Sequence, residues 1–464
     1  MRIKLQFLTP LFALVIIQTS SSQTISAGGF FSLVVCPNGI AQAWGDNFQG
    51  ELGNPLGSQG TPPAPVVNLT GILTASAGFG YSLAIKNDGT IWSWGQNYYG
   101  QLGDSTTTQR NTPVLVHSLT NVISVSAGTY HSLALKNDST VWAWGQNAYG
   151  QLGTVLSYNP CTTAVQTNIL NGIIKIATGS NYSIALKSDG TVWTWGNNNV
   201  MQLGDSITVW RIDPTIIPSL SGITSIVAGF THGIALKNNG TVWAWGWNHV
   251  GELGDGTFTP RGMPVQVLSL TGVTEIAAGQ DFSVALKNDG TVWTWGENQY
   301  GQLGVGDTID SNIPIQVSTL SGITSISAKA GHVLALKNDG TLWAWGFNGQ
   351  TQVNNTASTA ILSPVEVIGY CTFVGINELV ASATDPLITP TLTNGEFSIT
   401  FSHSVKETPM SIYNSLGEKV YEEIISGTSG REIHMKNIPA GIFFVRIAEG
   451  DKVFVRKIIK VNNY

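Results

Sequence analysis

The sequence predicts an all-β protein: a seven-bladed β-propeller followed by a small β-sandwich domain. Three observations carry that reading. First, the stretch Thr291-Val-Trp-Thr-Trp-Gly-Glu-Asn-Gln-Tyr-Gly-Gln-Leu-Gly304 is written out, with variations, seven times. Its first glycine recurs as Gly45, Gly95, Gly145, Gly196, Gly246, Gly296 and Gly346, with gaps of 50, 50, 51, 50, 50 and 50 residues. A fixed period of this length marks a repeat architecture. Second, 53 glycines and 15 tryptophans in 464 residues, with only 11% charged, suit short strands joined by tight turns. Third, each repeat divides into four strand-like segments without helical periodicity, and seven such units make a propeller.

The elements follow in chain order. Met1-Arg-Ile-Lys4, the apolar run Leu5 to Ile17 and Gln18-Thr-Ser-Ser-Ser22 read as a secretory signal peptide over residues 1–22. The run is too short, and broken by Thr9-Pro10, for a bilayer span of about 20 residues. The mature chain is therefore expected to be exported, with no transmembrane segment. The propeller is expected over 23–372. In the repeat chosen as example, Ile223 to Gly229 reads as a strand ending in a glycine turn and His232 to Leu236 as a second strand. Lys237-Asn-Asn-Gly240 is a tight hairpin, because Asn-Gly between apolar runs is a strong hairpin signal. Thr241 to Trp245 is the third strand, and Met263-Pro-Val-Gln-Val267 the fourth, its proline suited to a strand start or edge. Tryptophans two residues apart point to one face, where they should fill the packing between blades. Closing the ring removes exposed end blades.

The period stops near Glu378. Residues 373–390 read as a linker and 391–464 as the second domain, with strands at 394–401, 410–413, 433–435, 442–447 and 452–461.

The net charge of −6 is unevenly placed: nine basic and nine acidic groups follow Ser382, leaving 13 basic and 19 acidic before it. An acidic repeat region repels phosphate backbones, so no nucleic-acid partner is expected. The cysteines are Cys36, Cys161 and Cys371. An odd number in an exported chain leaves one thiol over. Cys36 and Cys371 fall in the first and last repeats, so a disulfide between them is open, though pairing does not follow from sequence.

Ala127-Gly-Thr-Tyr-His-Ser-Leu-Ala-Leu135 and Trp142-Ala-Trp-Gly-Gln-Asn-Ala-Tyr-Gly-Gln-Leu-Gly153 resemble the repeat of the regulator-of-chromosome-condensation propellers, and the likeness recurs in every unit over about 25–370. It implies the seven-bladed fold, but not the founding member's nuclear guanine-nucleotide exchange and chromatin binding, for this chain is exported, acidic and without a basic tail. The scaffold also occurs in secreted bacterial proteins, so the partner stays open. Departures are local: Gln42 replaces the first tryptophan, Lys329 stands where a turn glycine is usual, and Thr351-Gln-Val-Asn354 replaces Gly-Gln-Leu-Gly. The C-terminal segment resembles the sorting domain of the type IX secretion system of Bacteroidetes, through Asn394-Gly-Glu-Phe397, Ile412 to Val420, Ile438-Pro-Ala-Gly-Ile442 and Lys457-Ile-Ile-Lys460. That likeness implies passage through the periplasm of a Gram-negative cell and across the outer membrane by the secretion machinery. Removal of the domain and release or surface attachment would follow.

No catalytic motif is visible, and no catalytic residue, metal site or cofactor is assigned. His131, His232 and His332 share a slot filled elsewhere by Phe31, Tyr81, Tyr182 and Phe282, so they read as packed structural residues. His117, His249, His403 and His434 show no ligand-like sequence neighbours. Asp104, Asp205 and Asp255 lack the carboxylate spacing of a calcium loop.

Strand parity puts the Ala-Gly turn and the Gly-x-Asn-x-x-Gly loop on one rim and the Lys-Asn-Asp-Gly hairpins on the other. The first rim is variable and aromatic, offering Phe48, Phe79, Tyr98, Tyr99, Tyr130, Tyr149, Phe230, Trp247, His249, Tyr300 and Phe347. Exposed aromatics anchor partners. The expected function is binding of a protein or glycan through this rim. A polysaccharide hydrolase or lyase, indicated by acids converging in a central cleft, and a purely structural surface protein are the alternatives.

Overall fold

Each repeat folds into one four-stranded antiparallel sheet whose strands lie side by side in chain order. The structure, a computed structural model, describes residues 23–371 except 56–60, 156–159, 169, 208 and 355–357, and beyond them the strands within 387–460. The expected signal peptide and most of the expected linker lie outside the described residues. The chain forms two compact units, Met1–Cys371 and Thr372–Tyr464.

Numbering the blades along the chain, blade 5 consists of Ile223–Ala228, His232–Lys237, Val242–Gly246 and Arg261–Gln266. Its fourth strand starts two residues before the expected Met263, so Pro264 lies inside it. Pro113, Pro214, Pro314 and Pro364 sit likewise in other fourth strands. These strands are outermost, where a missing N–H breaks no ladder. The first strands of consecutive blades touch, and that of blade 1 also touches that of blade 7, so the sheets form a closed ring. They surround a central cavity of about 230 Å³ lined by small residues such as Ser26, Ala77, Ser126 and Thr178.

The paired tryptophans share a face but divide the work. The second of each pair is fully buried, and its indole N–H donates to a backbone carbonyl in the loop of the preceding blade. Trp94 donates to Glu51, Trp144 to Gln101, Trp195 to Gln151, Trp245 to Gln202, Trp295 to Glu252, Trp345 to Gln302 and Trp44 to Gln352. One unit thus satisfies an N–H and a C=O that burial would otherwise strand. The first tryptophan is half-buried, bonds the threonine two residues earlier, and in four blades lies under a lysine ammonium, as Lys287 over Trp293 at 5.5 Å.

The ring closes without strand exchange, since blade 1 is built from residues 24–65 and blade 7 from 323–366. Cys36 in the first hairpin is disulfide-bonded to Cys371, with Cα atoms 5.5 Å apart and a sequence separation of 335. Beside it Gln42, the residue that replaces a tryptophan, accepts the Cys371 N–H through Oε1 at 2.5 Å. Cys161 remains a buried thiol that donates to the Thr163 carbonyl.

In the second unit a three-stranded sheet carries Ile399 and Ile433, and a five-stranded sheet carries Met410, Ile412, Phe443, Val445 and Ile447. These side chains form one buried cluster, so the unit is a β-sandwich. Lys419–Gly427 is a strand absent from the sequence reading. Its alternation fails because Ile424 is exposed beside buried Ile425.

Candidate binding rim

The turn between first and second strands and the loop between third and fourth are tied together in every blade. The residue after the Trp-x-Trp-Gly glycine donates its N–H to a turn carbonyl: Asp46 to Phe30, Trp247 to Thr231, Glu297 to Asp281 and Phe347 to Gly331. The glycine adopts φ between 101° and 107°, and at Gly296 an added Cβ would lie 2.5 Å from the Asp281 oxygen. Only glycine combines that dihedral with that approach. The following asparagine holds the loop: Asn248 accepts the Leu253 N–H and donates to the carbonyls of Thr257 and Thr259.

Ten of the eleven sequence-predicted rim residues lie on these turns and loops, and Phe347 ends the third strand of blade 7, but they differ in exposure. Phe48 (72% exposed), Tyr98 (58%) and His249, all from the same loop slot, stand out into solvent. The others are half-buried. Tyr99 leans on Tyr130 at 4.9 Å between ring centres, and Trp247 on His249 at 5.4 Å. Tyr300, Phe347, Phe79 and Phe230 join, through Phe30, into a continuous chain of rings contributed by blades 6, 7, 1, 2 and 5. Sequence reasoning missed Phe30, because Gly80 and Gly331 fill its slot elsewhere. It also missed exposed Ile207 and Phe258, on the loops into the fourth strands of blades 4 and 5, and Trp210, which opens the fourth strand of blade 4. The run Ser206-Ile-Thr-Val-Trp210, apolar where a loop should be polar, was the available signal. The opposite rim is not free of apolar surface either: Leu73, Ile123 and Ile174 are exposed on adjacent blades, but they are aliphatic.

His131, His232 and His332 are fully buried and reach Ser183, Ser283 and Ser32 of the next blade through Nε2, at 2.9, 3.1 and 2.9 Å. Burial pushes each imidazole down to about 3, with Lys329 adding to the effect at His131. Asp104, Asp205 and Asp255 each pair with an arginine of the fourth strand, Arg110, Arg211 and Arg261, pinning the loop to the strand it leads into.

Lys329 occupies the glycine slot because blade 7 turns differently. Its first strand runs one residue further, Lys329 pairs with His332, and Ala330 takes a positive φ of 45°. The side chain crosses the cavity to donate to the Ala127 carbonyl of blade 3, and burial pushes its ammonium down to about 8. No acidic residue is among those lining the cavity in the described structure.

The rim, by contrast, gathers acids at one seam. His249 and Glu252 of blade 5 and Asp281 of blade 6 place one ligand-type atom each within 4.8 Å of one another. Burial raises Glu252, to about 7, and raises Asp281, and burial followed by the charges of Asp281 and Asp310 raises Glu297. Sequence inspection assigned His249 no such neighbours, although Glu252 stands only three positions on; Asp281 comes from another repeat, and folding alone brings it there.

A ring of seven four-stranded blades with a variable aromatic rim, and a separate C-terminal sandwich, defines a repeat propeller with an appended β-domain. The RCC1-like domain matches residues 9–256 and 160–383, and the chain belongs to that family. The secretion system C-terminal sorting domain matches residues 388–461, which makes this a secreted or cell-surface protein exported through type IX secretion. Among solved structures, yeast RCC1 (Prp20) bound to Kap60 is similar at 22% identity and TM-score 0.65, over 72% of this chain and 84% of that one. Prp20p from Saccharomyces cerevisiae, described with its binding to Gsp1p and histones, matches at 22% and 0.65 over 72% and 86%. Human WBSCR16 matches at 24% and 0.61 over 68% and 88%. At such identities these likenesses establish the fold alone. Among curated proteins no sequence matches significantly. No helix among the described residues is long and apolar enough to cross a membrane.

Proposed function

We propose that the propeller binds a protein or glycan partner outside the cell through the rim that carries Phe48, Tyr98, Tyr99 and Trp247. The observation that carries this reading is the distribution of exposed rings. Within a loop whose first glycine and asparagine recur in every blade, one variable slot projects Phe48 and Tyr98 from adjacent blades into solvent. A large apolar ring held in water gains by being covered, and flat rings suit both protein anchors and sugar faces. The half-buried rings of the Tyr99–Tyr130 pair and of the chain through Phe30 pack on one another, so they lose little side-chain freedom on binding. The polysaccharide-cleaving alternative called for acids in a central cleft, and the residues lining the cavity supply none.

The test is capture on immobilised protein, from host-surface and culture-fluid proteins and from a glycan array. A parallel column carries Phe48→Ala, Tyr98→Ala and Trp247→Ala together. A partner retained by the parent and weakened at least tenfold by the triple variant supports the rim. A partner held equally by both moves the site elsewhere, and no capture at all favours a structural role.

A further inference from the structure

We propose that His249, Glu252 and Asp281 bind one divalent transition-metal ion, of the zinc class, across the seam between blades 5 and 6. Seven copies of one loop allow the seam to be compared with its own siblings. In five of them the residue before the conserved Leu/Val is glutamine, as at Gln101, Gln151 and Gln302. Its amide oxygen accepts the N–H two residues back, and in three of the loops its amide nitrogen donates across the loop, from Gln101 to Gln96 at 3.1 Å, Gln151 to Gln146 at 3.2 Å and Gln302 to Glu297 at 3.0 Å.

Position 252 is glutamate. Oε2 keeps the acceptor role, taking the Val250 N–H at 3.0 Å. Oε1 replaces a donor by a second acceptor, on a side chain that is 0% exposed, and it has no hydrogen-bond partner. A buried carboxylate oxygen left this way is costly unless something positive meets it. It faces His249 Nδ1 at 3.4 Å and the Asp281 carboxylate, all mutually within 4.8 Å. An imidazole nitrogen and two carboxylates, with Glu297 adding charge behind Asp281, form an acceptor-rich pocket.

One nitrogen and two oxygen ligands suit zinc, whose bonds to them run about 2.0–2.2 Å; calcium and magnesium prefer oxygen alone. Side-chain adjustment of the half-exposed His249 closes the remaining distance, and three protein ligands leave the outward coordination position to solvent. Blade 1 supplies a built-in contrast. Glu51 sits in the same slot and accepts the Gln49 N–H at 2.7 Å, but Phe48 replaces the histidine and Gly80 the aspartate. That loop has the glutamate without the site.

The test uses the full chain without an affinity tag, stripped by a chelator and titrated with zinc against a competing metal indicator. The expected result is one zinc per chain at this site, with a rise in thermal midpoint on zinc addition. Glu252→Gln installs the residue five sister loops carry, so it should melt normally in chelator while losing zinc affinity at least tenfold. His249→Ala should lose it likewise, and Glu51→Gln should bind as the parent does. Absence of stoichiometric zinc binding by the parent, or affinity unchanged in Glu252→Gln and His249→Ala, overturns the proposal. So does equal loss in Glu51→Gln. The readout is metal and not partner, so it stands or falls apart from the rim's role in recognition.

Discussion

A slot that accepts phenylalanine, tyrosine or histidine makes the imidazole at positions 131, 232 and 332 dispensable for packing and decisive for pH response. Each ring is neutral in the fold because burial disfavours its charge, with a folded value near 3 against an ordinary 6.5. Above about pH 6.5 it is neutral in both folded and unfolded chains. Between that pH and about 3 the unfolded chain takes up protons the native one refuses, so stability falls as pH falls. Buried Glu51, raised to about 7, acts in the opposite sense between about 4.5 and 7, so the parent's net slope mixes both. His131→Phe isolates one contribution. Relative to the parent it should gain about 1.4 kcal/mol per pH unit of acidification below about pH 6.5. Urea midpoints at several pH values measure this, and parallel curves for the two proteins would refute it.

The blade is built by two kinds of glycine, and they fail differently. Gly296 ends the third strand at φ 101° with the Asp281 oxygen 2.5 Å from any Cβ, whereas Gly340 in the hairpin of blade 7 has φ 85° and open space around it. Gly296→Ala should therefore cost about 2–4 kcal/mol, from strain plus displacement of the turn that holds the rim. Gly340→Ala should cost only about 1 kcal/mol, the dihedral strain alone. Chemical denaturation of both variants gives the comparison, and equal losses would show that the contact with the turn does not matter. The hairpin itself is secured by side chains: Asp289 accepts both the N–H and the hydroxyl of Thr291, and the same pair recurs at Asp88, Asp138, Asp189 and Asp339.

A ring made of local blades has one seam, where the last meets the first, and no strand crosses it here. The seam is held by the Cys36–Cys371 bond, by Trp44 and Ser32 donating to the Gln352 carbonyl, and by His332 against Ser32. The tryptophan bond recurs at every blade interface and the serine and histidine contacts recur at some of the others, so the covalent bond is what this interface adds. It closes a loop of 335 residues. Cys36→Ala with Cys371→Ala should lower stability by about 3–5 kcal/mol through the freed unfolded chain. The same loss should follow reduction of the parent, and limited proteolysis should then begin at blade 1. Melting at the parent's temperature under reducing conditions would contradict this.

Much of this was legible in the chain because repeats expose their own rules. The 50-residue spacing, the Asn-Gly hairpins and the paired tryptophans determined four strands per blade, seven blades and the rim on which each loop lies. Periodicity is a local property written into neighbouring residues, and comparison among seven copies separates scaffold from variation. What crosses between copies was not legible. Tertiary structure alone decided that Trp245 bonds the loop before it, that Cys36 meets Cys371, and that Phe30 joins Phe79 to Phe347. It also decided that Glu252 faces Asp281. These pairs depend on which blades adjoin and how deeply each side chain is buried, and both are set by closure of the ring, which no single repeat contains.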